Sequence, residues 1–316
     1  MTKKFDVFGI GQCAHDYIGI IKRFPKPDEK CEFSDLVIQG GGPVATGLVA
    51  LQRWGFRCAF SGVVGDDSFG QKILEDLRHE NIDLSGVRVR PDSVSQFAFS
   101  VAEPDTGRRT LFWRRPTGTP LDRSEIDTRL LRSSRSFFTD GYFPDAAVEA
   151  CKVTRSEGIP VIVDAGSMRP ALLDILPLSD YFIASESFAR DYMPGASAED
   201  ICKVLCSSGP VLSAITLGSK GYAAAYNGDY FEEPAYKIKV VDTTGCGDVF
   251  HAGFIYGLLK SWPIPRALQF AAWSAAMVGR YAGGRTGIPD PGDWPGLMNN
   301  PKSKVQNQKS KPTEAL

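Results

Sequence analysis

The order of apolar and polar positions predicts a strand at the start of the chain and two helices after it. Residues 5–10 alternate loosely between apolar and polar side chains, which is typical of a strand. Residues 44–54 are a run of small and apolar residues in which Pro43 fits the first position of a helix. Residues 67–81 predict an amphipathic helix, since apolar side chains recur at helical spacing at Phe69, Ile73, Leu74 and Leu77.

The second half of the chain alternates between short apolar runs and amphipathic segments. Such alternation is typical of a mostly parallel sheet with helices on both faces. We therefore expect an α/β fold, a three-layer α/β/α sandwich. Strands are predicted at 58–64, 136–138, 161–164, 181–183 and 212–216, and helices at 146–156, 198–206 with Ser197 as N-cap, 247–259 and 265–281.

A small second sheet is predicted beside the main one. Residues 96–102 and 110–113 are extended runs joined by a Glu-Pro-Asp-Thr-Gly turn, which indicates a β-hairpin. Residues 12–38 contain prolines and no helical period, so we expect them to pair with this hairpin. We call residues 12–38 and 94–116 the lid.

Composition excludes several classes of protein. The 36 basic and 37 acidic residues give a net charge of −1, whereas a nucleic-acid-binding protein would carry a basic stripe. No apolar run reaches the ~18 residues of a membrane span, and the N-terminus enters a strand without a signal peptide, so a cytoplasmic protein without membrane partners is expected. Seven cysteines without a CxxC pair do not indicate a disulfide framework.

The chain is predicted to form one domain at residues 1–299. Residues 300–316 are polar and are predicted to be a disordered tail.

The run Asp-Thr-Thr-Gly-Cys-Gly-Asp at 242–248 carries the strongest chemical signal. A strand-like segment leads into a turn of small residues and then a helix, so free amides meet at a helix N-terminus, which binds phosphate oxygens well. Asp248 in the first helical turn could take a proton from an incoming hydroxyl. The alternative is that Asp248 only complements the helix dipole. A thiol at this position, Cys246, is expected to have a lowered pKa.

This run resembles the second signature of the ribokinase-like (PfkB-type) carbohydrate kinases, in which such a run supplies the catalytic base and the anion hole. Five further matches follow in the family's order over residues 5–295. They are Asp16 in GQCAHD, GGGPVAT at 40–46, GDDSFG at 65–70, TLGSKG at 216–221 and GGRTGIP at 283–289.

The resemblance implies an ATP-dependent phosphotransferase that acts on a hydroxyl of a sugar or sugar derivative. It implies Asp248 as general base, and Gly245, Cys246 and Gly247 as the anion hole. Substrate would be bound by Asp16, Gly41, Gly42, Thr46 and Lys30, and ATP by Thr216, Gly218, Ser219, Gly221 and Gly284.

Metal ions and a partner copy are also implied. Mg²⁺ would accompany ATP, with Glu186 acting through water, and K⁺ could bind near Asp242 and Thr244. Family members commonly form homodimers through the lid, and an exposed lid edge favours this here.

The chain departs from the family pattern at three points. Thr46 stands where the first signature has asparagine, Ser185 to Phe188 replace an N-x-x-E, and Cys246 replaces Ala or Gly. With Lys30, these departures look more like the subset containing sulfofructose kinases than like ribokinase. Two alternatives stay open: a nucleoside kinase that stacks a base on Phe97, Phe99 or Trp113, and a non-catalytic protein that senses a sugar or nucleotide.

Other candidate residues have competing interpretations. Residues 9–14 match a GxGxxA fingerprint, but no helix is predicted after them, and no GxxxxGK[ST] is present. The hairpin arginines are either a solvated edge or, at Arg114 or Arg115, contacts to an anionic substrate. Asp164 and Arg169 are expected to pair structurally, and His251 to serve packing.

Overall fold

The computed structural model describes residues 3–105 and 108–297. In chain order the strands are β1 (Phe5–Ile10), β2 (Ala14–Ile20), β3 (Asp35–Gly41), β4 (Cys58–Ser61), β5 (Val63–Gly65), β6 (Arg88–Arg90), β7 (Phe97–Glu103), β8 (Arg108–Arg114), β9 (Ser134–Thr139), β10 (Val161–Ala165), β11 (Tyr181–Ser185), β12 (Leu212–Thr216), β13 (Tyr222–Tyr226) and β14 (Asp229–Glu233). The α-helices are α1 (Pro43–Arg53), α2 (Ser68–His79), α3 (Thr128–Arg132), α4 (Pro144–Ser156), α5 (Pro170–Ile175), α6 (Glu186–Tyr192), α7 (Ala198–Ser207), α8 (Cys246–Leu259) and α9 (Ile264–Val278). Short 3₁₀ turns lie at Arg123–Glu125, Leu176–Leu178, Gly218–Lys220, Pro291–Asp293 and Pro295–Leu297.

The main sheet has eight strands in the order β14-β13-β12-β11-β10-β9-β1-β4. The strands from β12 to β4 pair in parallel, and β13 and β14 add antiparallel at one edge. The carboxyl ends of the parallel strands therefore lie at one edge of the sheet, where ligands of open α/β folds bind.

Two apolar cores lie on opposite faces of this sheet. One is built from α1, α2, α8 and α9 and includes the fully buried Phe254 and Phe270. The other is built from α3 to α7 and includes the fully buried Phe182 and Phe188. This is the expected α/β/α sandwich.

The lid is a four-stranded sheet in the order β3-β2-β7-β8, as expected from residues 12–38 and the hairpin. Its register places Asp16 of β2 beside Gln39 of β3 and Ala98 of β7. The strand β2 follows β1 directly, so no helix follows Gly11 and the dinucleotide fingerprint is excluded here. Among the described helices, none is long and apolar enough to cross a membrane.

Most predicted elements are confirmed within a few residues, and Ser197 caps α7 as expected by accepting a hydrogen bond from the Asp200 amide. Two predictions are wrong. Residues 58–64 form two strands, β4 and β5, instead of one, and residues 240–241, the strand-like segment before the turn at 242–248, are not a strand. The predicted tail at 300–316 lies outside the described residues.

Candidate active site

The turn at 242–248 is fixed between the sheet and the loop at 283–289. The Asp242 carboxylate accepts hydrogen bonds from the Thr244 amide at 3.0 Å and the Gly283 amide at 2.9 Å. Gly245 has φ +75°, a left-handed conformation, and a Cβ there would overlap the Cα of Gly284. Only glycine fits at Gly245, because both the backbone angle and the space exclude a side chain.

Helix α8 begins at Cys246 directly after this turn, with no side chain capping it. The Cys246 amide donates a hydrogen bond to the Thr243 carbonyl at 3.3 Å, and the amides that follow belong to the first helical turn, where the positive end of the helix dipole favours an anion. We call the amides of Gly245, Cys246 and Gly247 the anion hole.

Asp248 is partly buried in the first turn of α8. Burial first, and then the nearby carboxylates of Asp164 and Asp16, raise the pKa of its carboxyl group to about 7, although the charges of His251 and Arg109 oppose the shift. A carboxyl group that titrates near neutral pH is well matched to accept a proton from an alcohol and later release it.

Asp16 lies on the face of the lid that is turned to the site. Burial raises the pKa of its carboxyl group to about 6, opposed by the guanidinium groups of Arg285 and Arg109. Its Oδ1 is buried without a hydrogen-bond partner, and a Cβ on Gly41 would overlap its Oδ2. An unpartnered buried acceptor is costly in the free protein and available to a hydroxyl donor.

Arg285 is a buried cation that the sequence analysis missed. Its Nη2 donates to the Gly41 carbonyl at 3.3 Å and its Nε to Thr46 Oγ1 at 3.4 Å. Burial lowers its pKa, although the Asp16 carboxylate opposes this. The signal in the sequence was the joint presence of Thr46 in place of asparagine and an arginine within GGRTGIP, but only the fold shows that the two meet.

Arg109 of β8 also reaches the site, whereas the sequence had pointed to Arg114 or Arg115. Its Nη1 donates to Thr244 Oγ1 at 3.0 Å. Arg115 lies 5.1 Å from the ring of Trp113. The lid arginine that meets the turn is therefore Arg109.

Four of the predicted nucleotide residues, Thr216, Gly218, Ser219 and Gly221, lie at or just after the end of β12, whereas Gly284 lies against Gly245. Thr216 ends β12, and Ser219 lies in a short turn between Gly218 at φ +58° and Gly221 at φ +103°. Glu186 begins α6 and pairs with Lys220 of that turn at 2.9 Å. This part of the site adjoins the carboxyl ends of two parallel strands.

The described part of the chain contains no group of three or more His, Cys, Asp or Glu residues arranged to hold a metal ion. Magnesium often binds through substrate phosphates and one or two carboxylates and needs no such cage. Exposed Glu186 fits a contact through water. Asp242 is a weaker candidate ligand for a monovalent cation, because both of its carboxylate oxygens already accept hydrogen bonds.

Two other predicted residues lie apart from the turn. Gly42 has φ +90° and precedes α1, and a Cβ there would be 2.6 Å from the Gln12 carbonyl. Lys30 is exposed in the segment between β2 and β3. Within the described residues, no hydrogen bond or ion pair of Lys30 is present.

The prediction for Cys246 is wrong. Burial raises the pKa of its thiol to about 12, and the Asp242 and Asp248 carboxylates add to the shift. A helix N-terminus lowers a thiol pKa when the thiol is accessible, but here burial and negative neighbours outweigh the dipole.

The expected pairing of Asp164 with Arg169 is also wrong. Arg169 Nη1 donates to the Asp140 carbonyl at 2.7 Å, and its guanidinium lies 5.4 Å from the Tyr142 ring. Asp164 Oδ2 instead lies 3.4 Å from Nδ1 of His251.

Comparisons with known proteins agree with this fold. The profile of the pfkB family carbohydrate kinases matches residues 4–291. The chain is 26% identical to the 5-dehydro-2-deoxygluconokinase of Shouchella clausii over 87% of this chain and 90% of that protein. The crystal structure of a putative ribokinase from Agrobacterium tumefaciens superposes with a TM-score of 0.83 at 24% identity, covering 91% of this chain and 95% of that one. A putative ribokinase II from E. coli, solved with ATP and Mg²⁺, gives 0.79 at 21%, covering 91% and 96%.

Proposed function

The chain belongs to the pfkB family of carbohydrate kinases, and from this premise we propose that it transfers the γ-phosphoryl group of ATP to a hydroxyl of a sugar or sugar derivative. The observation that supports the proposal is Asp248, a carboxyl group whose pKa is raised to about 7 in the first turn of a helix that no side chain caps.

In the proposed reaction Asp248 is the general base. The substrate hydroxyl gives its proton to the Asp248 carboxylate as its oxygen bonds to the γ-phosphorus. The bond between that phosphorus and the β–γ bridging oxygen breaks, and ADP leaves with the electron pair. The anion hole stabilises charge on the γ-phosphoryl oxygens, because its amides are already aimed when the reaction begins.

Two buried groups on the other side of the site suit a polyhydroxylated substrate. Asp16 Oδ1 is an unpartnered acceptor, and Arg285 with Thr46 adds donors beside it. We propose that Asp16, Gly41, Gly42 and Thr46 form the sugar side of the site. Lys30 belongs to this side only if the segment between β2 and β3 folds over the substrate.

On the nucleotide side, we propose that Thr216, Gly218, Ser219, Gly221 and Gly284 bind ATP. Bound Mg²⁺ would neutralise phosphate charge, with Glu186 as its contact through water. K⁺ beside Asp242 and Thr244 remains a proposal on the family resemblance alone.

We further propose a homodimer formed through the lid. The lid exposes a set of large apolar side chains of the kind that marks a protein interface. They are Leu36 (45% exposed), Ile38 (51%), Leu111 (48%), Phe112 (51%) and Trp113 (49%).

The alternatives are a nucleoside kinase and a non-catalytic sensing protein. The first draws on the aromatic side chains of the lid. In the structure, however, Phe97 stacks on Phe69 at 5.0 Å and Phe99 packs against Phe33, so both rings already have aromatic partners. A sensing protein would need no general base, whereas the raised pKa of Asp248, about 7, suits a general base.

The test is ADP release from MgATP with ketoses, aldoses, sugar acids, sugar phosphates and nucleosides, each compared with the rate without acceptor. We expect one class of sugar to stimulate ADP release and to yield a phosphorylated product by mass spectrometry. Stimulation by nucleosides alone would establish the nucleoside kinase. Calorimetric binding of a sugar or ATP without turnover of any acceptor would establish the sensing protein.

A further inference from the structure

His251 lies on the buried side of α8, one turn after Asp248, and is only 4% exposed. Its Nδ1 is 2.7 Å from the carbonyl oxygen of Gly247, and its Nε2 is 3.2 Å from the carbonyl oxygen of Ile183 in β11. The ring also stacks on Phe138 at 5.9 Å. His251 thus joins the catalytic helix to the carboxyl end of the main sheet.

Both ring nitrogens of His251 face oxygen atoms that can only accept a hydrogen bond. A neutral imidazole has one N–H, so its second nitrogen would point a lone pair at a carbonyl oxygen. Only the imidazolium form donates from both nitrogens. Asp164 Oδ2, 3.4 Å from Nδ1, supplies the negative charge that a buried cation needs.

We infer that His251 is an imidazolium held by Asp164 and the carbonyl groups of Gly247 and Ile183, and that it is a positioning residue for the anion hole and for Asp248. This inference rests on the proposed function for its role in catalysis. The protonation state of His251 itself follows from the contacts alone.

The charged groups around His251 come from β10, from α8 and from the segment after β9. Asp164 belongs to β10, and its side chain is 5% exposed. Asp248 belongs to α8 itself and interacts with the His251 charge. Asp140, after β9, lies near enough to Asp164 to interact with it. His251 is thus the cation within a buried group of carboxylates.

The hydrogen bond to the Gly247 carbonyl acts on the Asp248 amide, which is the next amide after the anion hole. The Gly247 carbonyl and the Asp248 amide belong to the same peptide, and polarising the carbonyl makes the amide a stronger donor. The positive charge also lowers the pKa of Asp248, against the effect of burial. Both effects favour transfer of a phosphoryl group to an alcohol activated by Asp248.

The direct test is ¹⁵N NMR of the full chain labelled at histidine. The chain has three histidines, so His15→Gln and His79→Gln variants assign the ring signals of His251. At pH 8 we expect both His251 ring nitrogens to show imidazolium shifts. The ring signals of exposed His79 serve as the internal reference. A neutral tautomer of His251 at pH 8 would overturn the inference, whether or not the protein is a kinase.

The catalytic role is tested with His251→Gln, which removes the positive charge. We expect the inflection of kcat/KM that reports Asp248 to move up by about one pH unit, a tenfold loss on the acid side. A variant that is only less stable would keep its inflection, and that result would exclude the positioning role. If His251→Gln does not fold, the NMR measurement on the unmodified protein still decides the protonation state.

Discussion

Arg109 of the lid donates a hydrogen bond from Nη1 to Oγ1 of Thr244 across 3.0 Å, so a guanidinium of the small sheet contacts the turn that leads into α8. Thr244 Oγ1 is in turn 2.9 Å from Asp242 Oδ1. Arg109 also bears electrostatically on Asp16 and Asp248. The lid therefore brings a positive charge to the place where phosphate charge would develop.

Replacing this charge should slow catalysis. We expect Arg109→Ala to lower kcat about 10²-fold, a loss typical of a group that stabilises developing charge, while thermal stability changes little because the side chain is exposed. Steady-state kinetics with saturating MgATP would measure the change. Arg155→Ala, an exposed arginine on α4, is the matched control and should keep full activity. Equal rates for the two variants would remove Arg109 from the mechanism.

The pH dependence of catalysis follows from the raised pKa of Asp248. Only the ionised carboxylate can accept a proton, so kcat/KM should rise with pH and level off above an inflection near 7. Asp16, with a pKa of about 6, should add a steeper fall at more acid pH. A rate profile that stays flat between pH 5.5 and 8 would contradict a titrating base.

The same raised pKa predicts that Asp248 lowers stability at alkaline pH. Between the unfolded value of 3.8 and the folded value of about 7, the folded state binds more protons than the unfolded state, so the free energy of unfolding falls as pH rises through this window. Asp248→Asn removes the titration and should raise the Tm at pH 8. The difference in Tm between Asp248→Asn and the unmodified protein should shrink as the pH approaches 4.

Calorimetric or fluorescence melts of the Asp248→Asn protein at pH 5 and pH 8 measure this effect. Asp174→Asn, an exposed aspartate on α5, is the control and should change neither Tm. A lower Tm for Asp248→Asn at pH 8 would mean that the carboxylate stabilises the fold, contrary to its burial.

The apolar side chains of the lid predict a dimer that a single charge can disrupt. Phe112→Lys places a cation in the centre of the proposed interface and should shift the protein to monomers in sedimentation velocity. Val211→Lys is the control, since Val211 is 49% exposed outside the lid. The same mass for both variants and the unmodified protein would refute the lid as the interface.

The sequence predicted the architecture because its signals are local. Apolar periods and caps predicted the six longer helices and the parallel strands, but the short helices α3, α5 and α6 were not predicted. The antiparallel strand β13 at the edge of the main sheet was not predicted, because its residues Ala223, Ala224 and Ala225 show no alternation between apolar and polar positions. The turn at 242–248 could be proposed as a site from its small residues and the helix that follows, because these features depend on a few consecutive positions.

What the sequence could not predict were contacts between distant segments. Arg109 meets Thr244, and Arg285 meets Thr46, only because the lid folds back over the main domain. The sign of the Cys246 pKa shift was wrong because burial depends on the whole fold. Asp164 pairs with His251 for the same reason, since β10 and α8 are far apart in the chain.

The most direct test of the account is the rate of phosphoryl transfer by Asp248→Asn at pH 8, measured with the sugar that the acceptor panel identifies, together with the Kd for MgATP. The account predicts a loss of at least about 10²-fold in kcat with an unchanged Kd, because asparagine keeps the shape but cannot accept the proton. A variant that retains the rate of the unmodified protein would show that Asp248 is not the base.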